Sequence, residues 1–296
     1  MAGKTGSLSE VGVFARLVGG AERLLLACND RVVASLPSVD PQSAMDEPGV
    51  LISRSLGHAS EVGPMLCHAR QHASAVHGLG LVRSVFEPAI ELLWAARDRW
   101  PRYWQAVATE QVAHHERRAS RNPSHAEWLK TPAGQRLRHV AGSRAGMPKL
   151  RQLLEGVEAD DKSDPVLRDL KNRLPASEVY EILVQGVLHP CSHGDPRAFA
   201  SERWSDAWIE AGQMYLYSAV QMCRAAHLQR GWRQEPIWWA YQWITRIERD
   251  PHEPSPSPDD SYGDLGLTPG LSGTTFIGPG FVVPTEAWAV GYPLVP

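Results

Sequence analysis

From about residue 9 to residue 249 the apolar side chains recur every three or four positions, and no stretch of strict apolar–polar alternation interrupts them. That period predicts an all-α body: one multi-helix bundle over residues 8–249. A first helix is expected over 9–33, with Val11, Phe14, Leu17 and Val18 on its early apolar face and a bend at Gly19-Gly20. After a Ser, Pro and Asp-rich loop, helical pattern resumes at Val50 and runs to His77, interrupted near Gly63-Pro64, before Gly78 and Gly80 break it. Residues 81–97 form the most apolar segment, and with 100–121 they predict a central antiparallel helix pair.

Shorter helices are expected at 124–138, 148–157 and 165–174, with the charged segment Asp160-Asp161-Lys162-Ser163-Asp164 as a solvated turn between the last two. Ser177 reads as the N-cap of a helix over 178–188, and Asp195-Pro196 as cap and first position of the next. Long helices over 205–229 and 236–249 complete the body. From Asp250 the composition turns to Pro, Gly, Ser and acid, so residues 250–296 are expected to form an extended or disordered tail.

Composition narrows the function classes. With 43% hydrophobic and 21% charged residues the chain has the make-up of an ordinary globular protein. The formal net charge of -3 provides no overall basic field, so nucleic-acid contact would need a local patch. No apolar run of spanning length is present and the first residues lack a secretory h-region, which predicts a cytoplasmic protein. Cys28, Cys67, Cys191 and Cys223 form no Cys-x-x-Cys pair, so reduced, buried thiols are expected.

Candidate chemistry concentrates in two places. In the 81–97 helix the apolar arc of Val82, Val85, Phe86, Ala89, Ile90, Leu93 and Trp94 encloses Arg83, and a guanidinium there needs the counter-charge that Glu87 offers at i,i+4. The pair reads either as a structural tie or as an anion-binding arginine facing a cleft. In the 178–188 helix Glu181, Gln185 and His189 share one face, and Pro190 leaves His189 at a helix C-terminus, a placement suited to general acid–base work. His189, Cys191, His193 and Asp195 alternate in one loop, but four ligands this close in sequence strain a tetrahedral metal, and no metal or cofactor is assigned. Tryptophan pairs at i,i+4 (Trp100/Trp104, Trp204/Trp208, Trp239/Trp243) read as packing, with the dense group Trp238, Trp239, Tyr241 and Trp243 as a surface for a partner.

With Arg83-Ser84-Val85-Phe86-Glu87 on one helix and Tyr180 ahead of His189-Pro190 on another, the chain resembles a group of uncharacterised bacterial helical proteins. They share an Arg-x-x-x-Glu element and a later Tyr…His. Families of this look are related to abortive-infection proteins and to the HEPN ribonucleases, small α-bundles that dimerise and cut RNA without metal. The resemblance implies a homodimer, an RNA substrate and a site of Arg83, Glu87, Tyr180 and His189. HEPN catalysis places four to six residues between an Arg and a following His. That spacing recurs here at Arg70/His77, Arg118/His125 and Arg246/His252, no more often than 25 Arg and 12 His produce by chance. Arg83 and His189 would instead have to meet from different helices. The alternative is a non-catalytic helical scaffold that presents its tryptophan face or its tail to a protein partner.

Overall fold

A computed structural model describes residues 10–36, 48–73, 75–141, 148–163, 176–181, 208–245, 274–276 and 282–284. The body is all-α. Helices α1 (Glu10–Ser35), α2 (Pro48–His72), α3 (Ala75–Ala96), α4 (Trp100–Ala119), α5 (Pro123–Lys130), α6 (Pro132–Val140), α7 (Leu150–Ser163), α8 (Ala176–Tyr180), α9 (Trp208–Arg230) and α10 (Glu235–Thr245) follow in order. In the tail, strands β1 (Thr274–Phe276) and β2 (Val282–Pro284) pair antiparallel, with Thr275 opposite Val283.

The centre of the molecule is α9, not the expected pair of α3 and α4. From Met214 to His227 every residue of α9 is buried, the polar Ser218, Gln221, Arg224 and His227 included, so neighbouring helices cover it on all faces. Its principal neighbours are α3, α1 and α2, and α10 packs on α9 and α1. The helix stops in a Schellman motif: Gly231 takes φ +67° and the Trp232 N–H donates to the His227 carbonyl at 2.8 Å.

Several glycines and prolines read as breakers lie inside helices. Helix α1 runs unbroken through Gly19-Gly20, where a Cβ on Gly20 would meet the Ile244 side chain at 2.7 Å. Helix α2 continues through Pro64. Gly78 lies within α3, and a Cβ there would meet the Trp208 ring at 2.6 Å, so glycine is retained for close approach of α9 rather than as a helix end. Helix α2 ends at His72 and α3 begins at Ala75, before Gly78.

Conversely, the single helix expected over 124–138 is two, α5 and α6. Thr131 caps the second by accepting from the Gly134 N–H at 3.2 Å, and Pro132 sits at its first turn. These two pack with the later turns of α4 around a small core of Ala108, Val112, Leu129 and Leu137, separate from the main one. Trp100 and Tyr103, on the first turn of α4, belong to the main core.

Candidate functional site

Arg83 and Glu87 lie one turn apart on α3, and the Arg83 Nε–H donates to Glu87 Oε1 at 2.5 Å. The expected ion pair is therefore present, but the expected burial is not: the two side chains are 40% and 32% exposed. The buried face of α3 is set by Leu79, Val82, Phe86, Ala89 and Leu93, and Arg83 falls on its edge. This has a chemical consequence. Glu87 engages the guanidinium through Nε alone, and both Nη nitrogens are without a hydrogen-bond partner among the described residues. A guanidinium fixed by one edge offers the other as a fork for an oxyanion.

The stripe continues to Glu91, two turns beyond Arg83, which accepts a hydrogen bond from the Tyr103 hydroxyl of α4 at 3.4 Å. Burial, then Glu87 and Glu110, push the Glu91 carboxyl above the usual carboxylate range, against the Tyr103 hydrogen bond. Burial, then the Glu91 charge and hydrogen bond, push the Tyr103 phenol up in turn. Sequence reasoning stopped at Arg83 and Glu87. The i,i+8 spacing of Glu91 was a readable signal; the approach of Tyr103 from another helix was not.

Tyr180 ends α8 and is half-buried against the main core. Ser177 does not cap that helix; it lies within it, and its backbone N–H donates to Glu158 Oε1 of α7 at 2.8 Å. No hydrogen bond joins Tyr180 to Arg83 or Glu87 among the described residues. His189, Cys191, His193 and Asp195 lie outside the described residues, as does the expected 165–174 helix. Cys28, Cys67 and Cys223 are buried thiols, as expected.

The acidic segment at 160–164 needs correcting. Asp160 and Asp161 are on the last turn of α7, not in a solvated turn. Arg99 grips Asp160 with two hydrogen bonds of 2.7 and 3.0 Å. Asp161 is buried and accepts from Arg224 Nη2 of α9 at 2.7 Å, with Arg97 at 3.7 Å. Arg224 itself has no exposed surface; Gln221 accepts from its Nη1 at 2.7 Å, and its guanidinium lies 5.2 Å from the centre of the Trp238 ring. Trp238 is thus a core residue rather than part of an outward face. The side chains of Trp239 and Trp243 lie outside the described residues. Three arginines close this acidic end of α7, so it is a structural knot rather than a solvated turn.

Two further polar groups are sunk in the bundle. Glu22 of α1 is buried beside Gly63 and Tyr215, with Oε2 lacking a hydrogen-bond partner. Burial pushes its carboxyl up to about 7, against the pull of Arg23. Tyr215 donates from its hydroxyl to the Ala59 carbonyl at 2.8 Å, one turn before Pro64. His227 bonds through Nδ1 to the Arg233 carbonyl across the α9–α10 turn, and burial lowers its imidazole to about 4.

Among the described residues no group of three or more His, Cys, Asp or Glu could hold a metal ion, and no helix is long and apolar enough to cross a membrane. No known protein family, characterised protein or solved structure matches this chain.

Proposed function

We propose that this chain is a HEPN-like, metal-independent ribonuclease of the defence or toxin-effector kind, with Arg83 as its phosphate-binding residue. The observation that supports this reading best is the one-edged grip of Glu87 on Arg83, which leaves two Nη nitrogens for a substrate oxyanion. In this scheme His189 takes the proton of an RNA 2′-hydroxyl as that oxygen bonds to phosphorus. The bond from phosphorus to the 5′-oxygen breaks, and the leaving oxygen is protonated by water. Arg83 stabilises the charge that builds on the phosphorane oxygens, and Tyr180 donates a phenolic hydrogen bond to the same phosphate. Glu87 is a positioning residue: it touches the arginine, not the RNA.

The test is cleavage of a mixed RNA pool by the purified chain in excess EDTA. Wild-type protein is expected to cleave, and Arg83→Ala to lose at least about 100-fold, the scale of losing one transition-state donor. Glu87→Gln is expected to lower kcat more than it raises KM, because it loosens the guanidinium without removing it. Intact RNA with folded wild-type protein would turn the assignment toward a non-catalytic scaffold.

A further inference from the structure

The α4–α6 unit carries a feature that the Arg83 site does not use. Between Trp100 and Val140 there are seven Lys or Arg against three Glu, a formal +4 in a chain whose total is -3, so the rest of the molecule sums to -7. The positive charge is not all neutralised locally. Lys130 pairs with Glu127 at 2.8 Å and Arg138 with Glu116 at 3.2 Å. Arg117, Arg118 and Arg121, at and just beyond the end of α4, are exposed, and their side chains have no hydrogen-bond or ion-pair partner among the described residues.

Beside those arginines the ring of His115 lies flat on the Trp128 indole, centroids 3.9 Å apart and planes 12° apart. His125 of α5 reaches back so that its Nδ1 lies 2.9 Å from His115 Nδ1. One proton occupies that bond. The ring that donates it presents a bare Nε2, and the ring that accepts it carries its own proton on Nε2. Both rings and Trp128 are half-exposed, and neither Nε2 has a partner among the described residues. The edge of α4 and α5 therefore combines a flat aromatic stack, one hydrogen-bond donor, one acceptor and three unpaired guanidinium groups. Single-stranded RNA suits this combination: cations along the backbone, π-faces for bases, and a donor and an acceptor for base edges.

We infer that the α4–α6 unit is a docking surface for single-stranded RNA, with Arg117, Arg118 and Arg121 on the phosphates and the His115–His125–Trp128 stack against a nucleotide. RNA rather than DNA as occupant rests on the ribonuclease reading; the charge and stacking argument does not. The surface recruits substrate, and its loss leaves the Arg83 chemistry intact.

The probe is a fluorescein-labelled 2′-O-methyl 12-mer, which has no 2′-hydroxyl to attack, titrated by anisotropy against full-length protein at several salt concentrations. Wild-type protein is expected to bind the probe, with affinity falling steeply with salt. Replacing Arg117, Arg118 and Arg121 together with Ser is expected to weaken binding at least about 10-fold. It is also expected to flatten the logarithmic salt dependence, by roughly 0.7 in slope for each phosphate that is no longer neutralised. These side chains are exposed, so an unchanged melting curve shows that the triple variant is folded. No binding by wild-type protein, an unchanged Kd in the triple variant, or displacement of the probe by polyglutamate as readily as by unlabelled RNA would overturn the inference. Because the probe cannot be cleaved, binding survives if the ribonuclease reading fails, and cleavage of short RNA survives if the docking surface fails.

Discussion

The pair Asp161–Arg224 shows how a single residue can be legible in type and illegible in role. A run of Asp-Asp-Lys-Ser-Asp has the composition of a solvated turn, and only the tertiary approach of α9 turns Asp161 into the partner of an arginine with no exposed surface. Removing one member of such a pair strands the other charge, so Asp161→Ala is expected to lower the unfolding free energy by about 3–5 kcal/mol. Urea denaturation checks it, and a change below about 1 kcal/mol would contradict the buried pairing. Glu22 and His227 make a second prediction, in opposite directions. Glu22 is raised from 4.5 to about 7, so its stabilising contribution is complete below pH 4.5 and is lost as pH rises through 7. His227 is lowered from 6.5 to about 4, so its contribution is complete above pH 6.5 and is lost as pH falls toward 4. The two offset each other between pH 4.5 and 6.5 and leave Glu22 alone above that. The urea midpoint is therefore expected to fall between pH 6.5 and 8 in the wild type and not to fall there in Glu22→Gln.

At the scale of elements, periodicity placed α1, α2, α9 and the apolar face of α3 to within a few residues, because a helix that buries one face or all faces announces it in the spacing of apolar side chains. It misplaced the breaks. Gly78 and Pro64 have the local preferences of breakers, yet they sit inside helices where neighbours override preference. The glycines make this measurable. Gly78→Ala drives a methyl against the Trp208 ring at 2.6 Å and is expected to cost about 1–3 kcal/mol. Gly57→Ala, on α2 with nothing within 4 Å, is expected to stabilise by about 0.5–1 kcal/mol through helix propensity and a less flexible unfolded chain. Melting curves of both variants, moving in opposite directions, check the packing of α9 against α3. The candidate site was legible where it is local, as in Arg83–Glu87. It was illegible where it joins elements, as in Tyr103–Glu91 and His115–His125, because no spacing rule relates side chains on different helices.

At the scale of the molecule, the described residues form one large core around α9 and a small one under α4–α6, where four buried residues hold three helices together. Opening free energy scales with buried apolar contact, so amide exchange is expected to be slowest along α9 and to reveal an earlier opening of α5 and α6. Uniform protection across both cores would contradict the division. In the proposed function the basic α4–α6 unit gathers RNA and Arg83 on α3 acts on it. The claim at the centre of the account is that Arg83 and His189 serve one reaction, and a double-mutant cycle on RNA cleavage in EDTA tests it most directly. Residues of one catalytic unit are grossly non-additive. The account predicts that Arg83→Ala and His189→Ala each lower kcat/KM by at least about 100-fold and that the double variant is no slower than the slower single. Intact RNA with wild-type protein, or two losses that multiply, would contradict it.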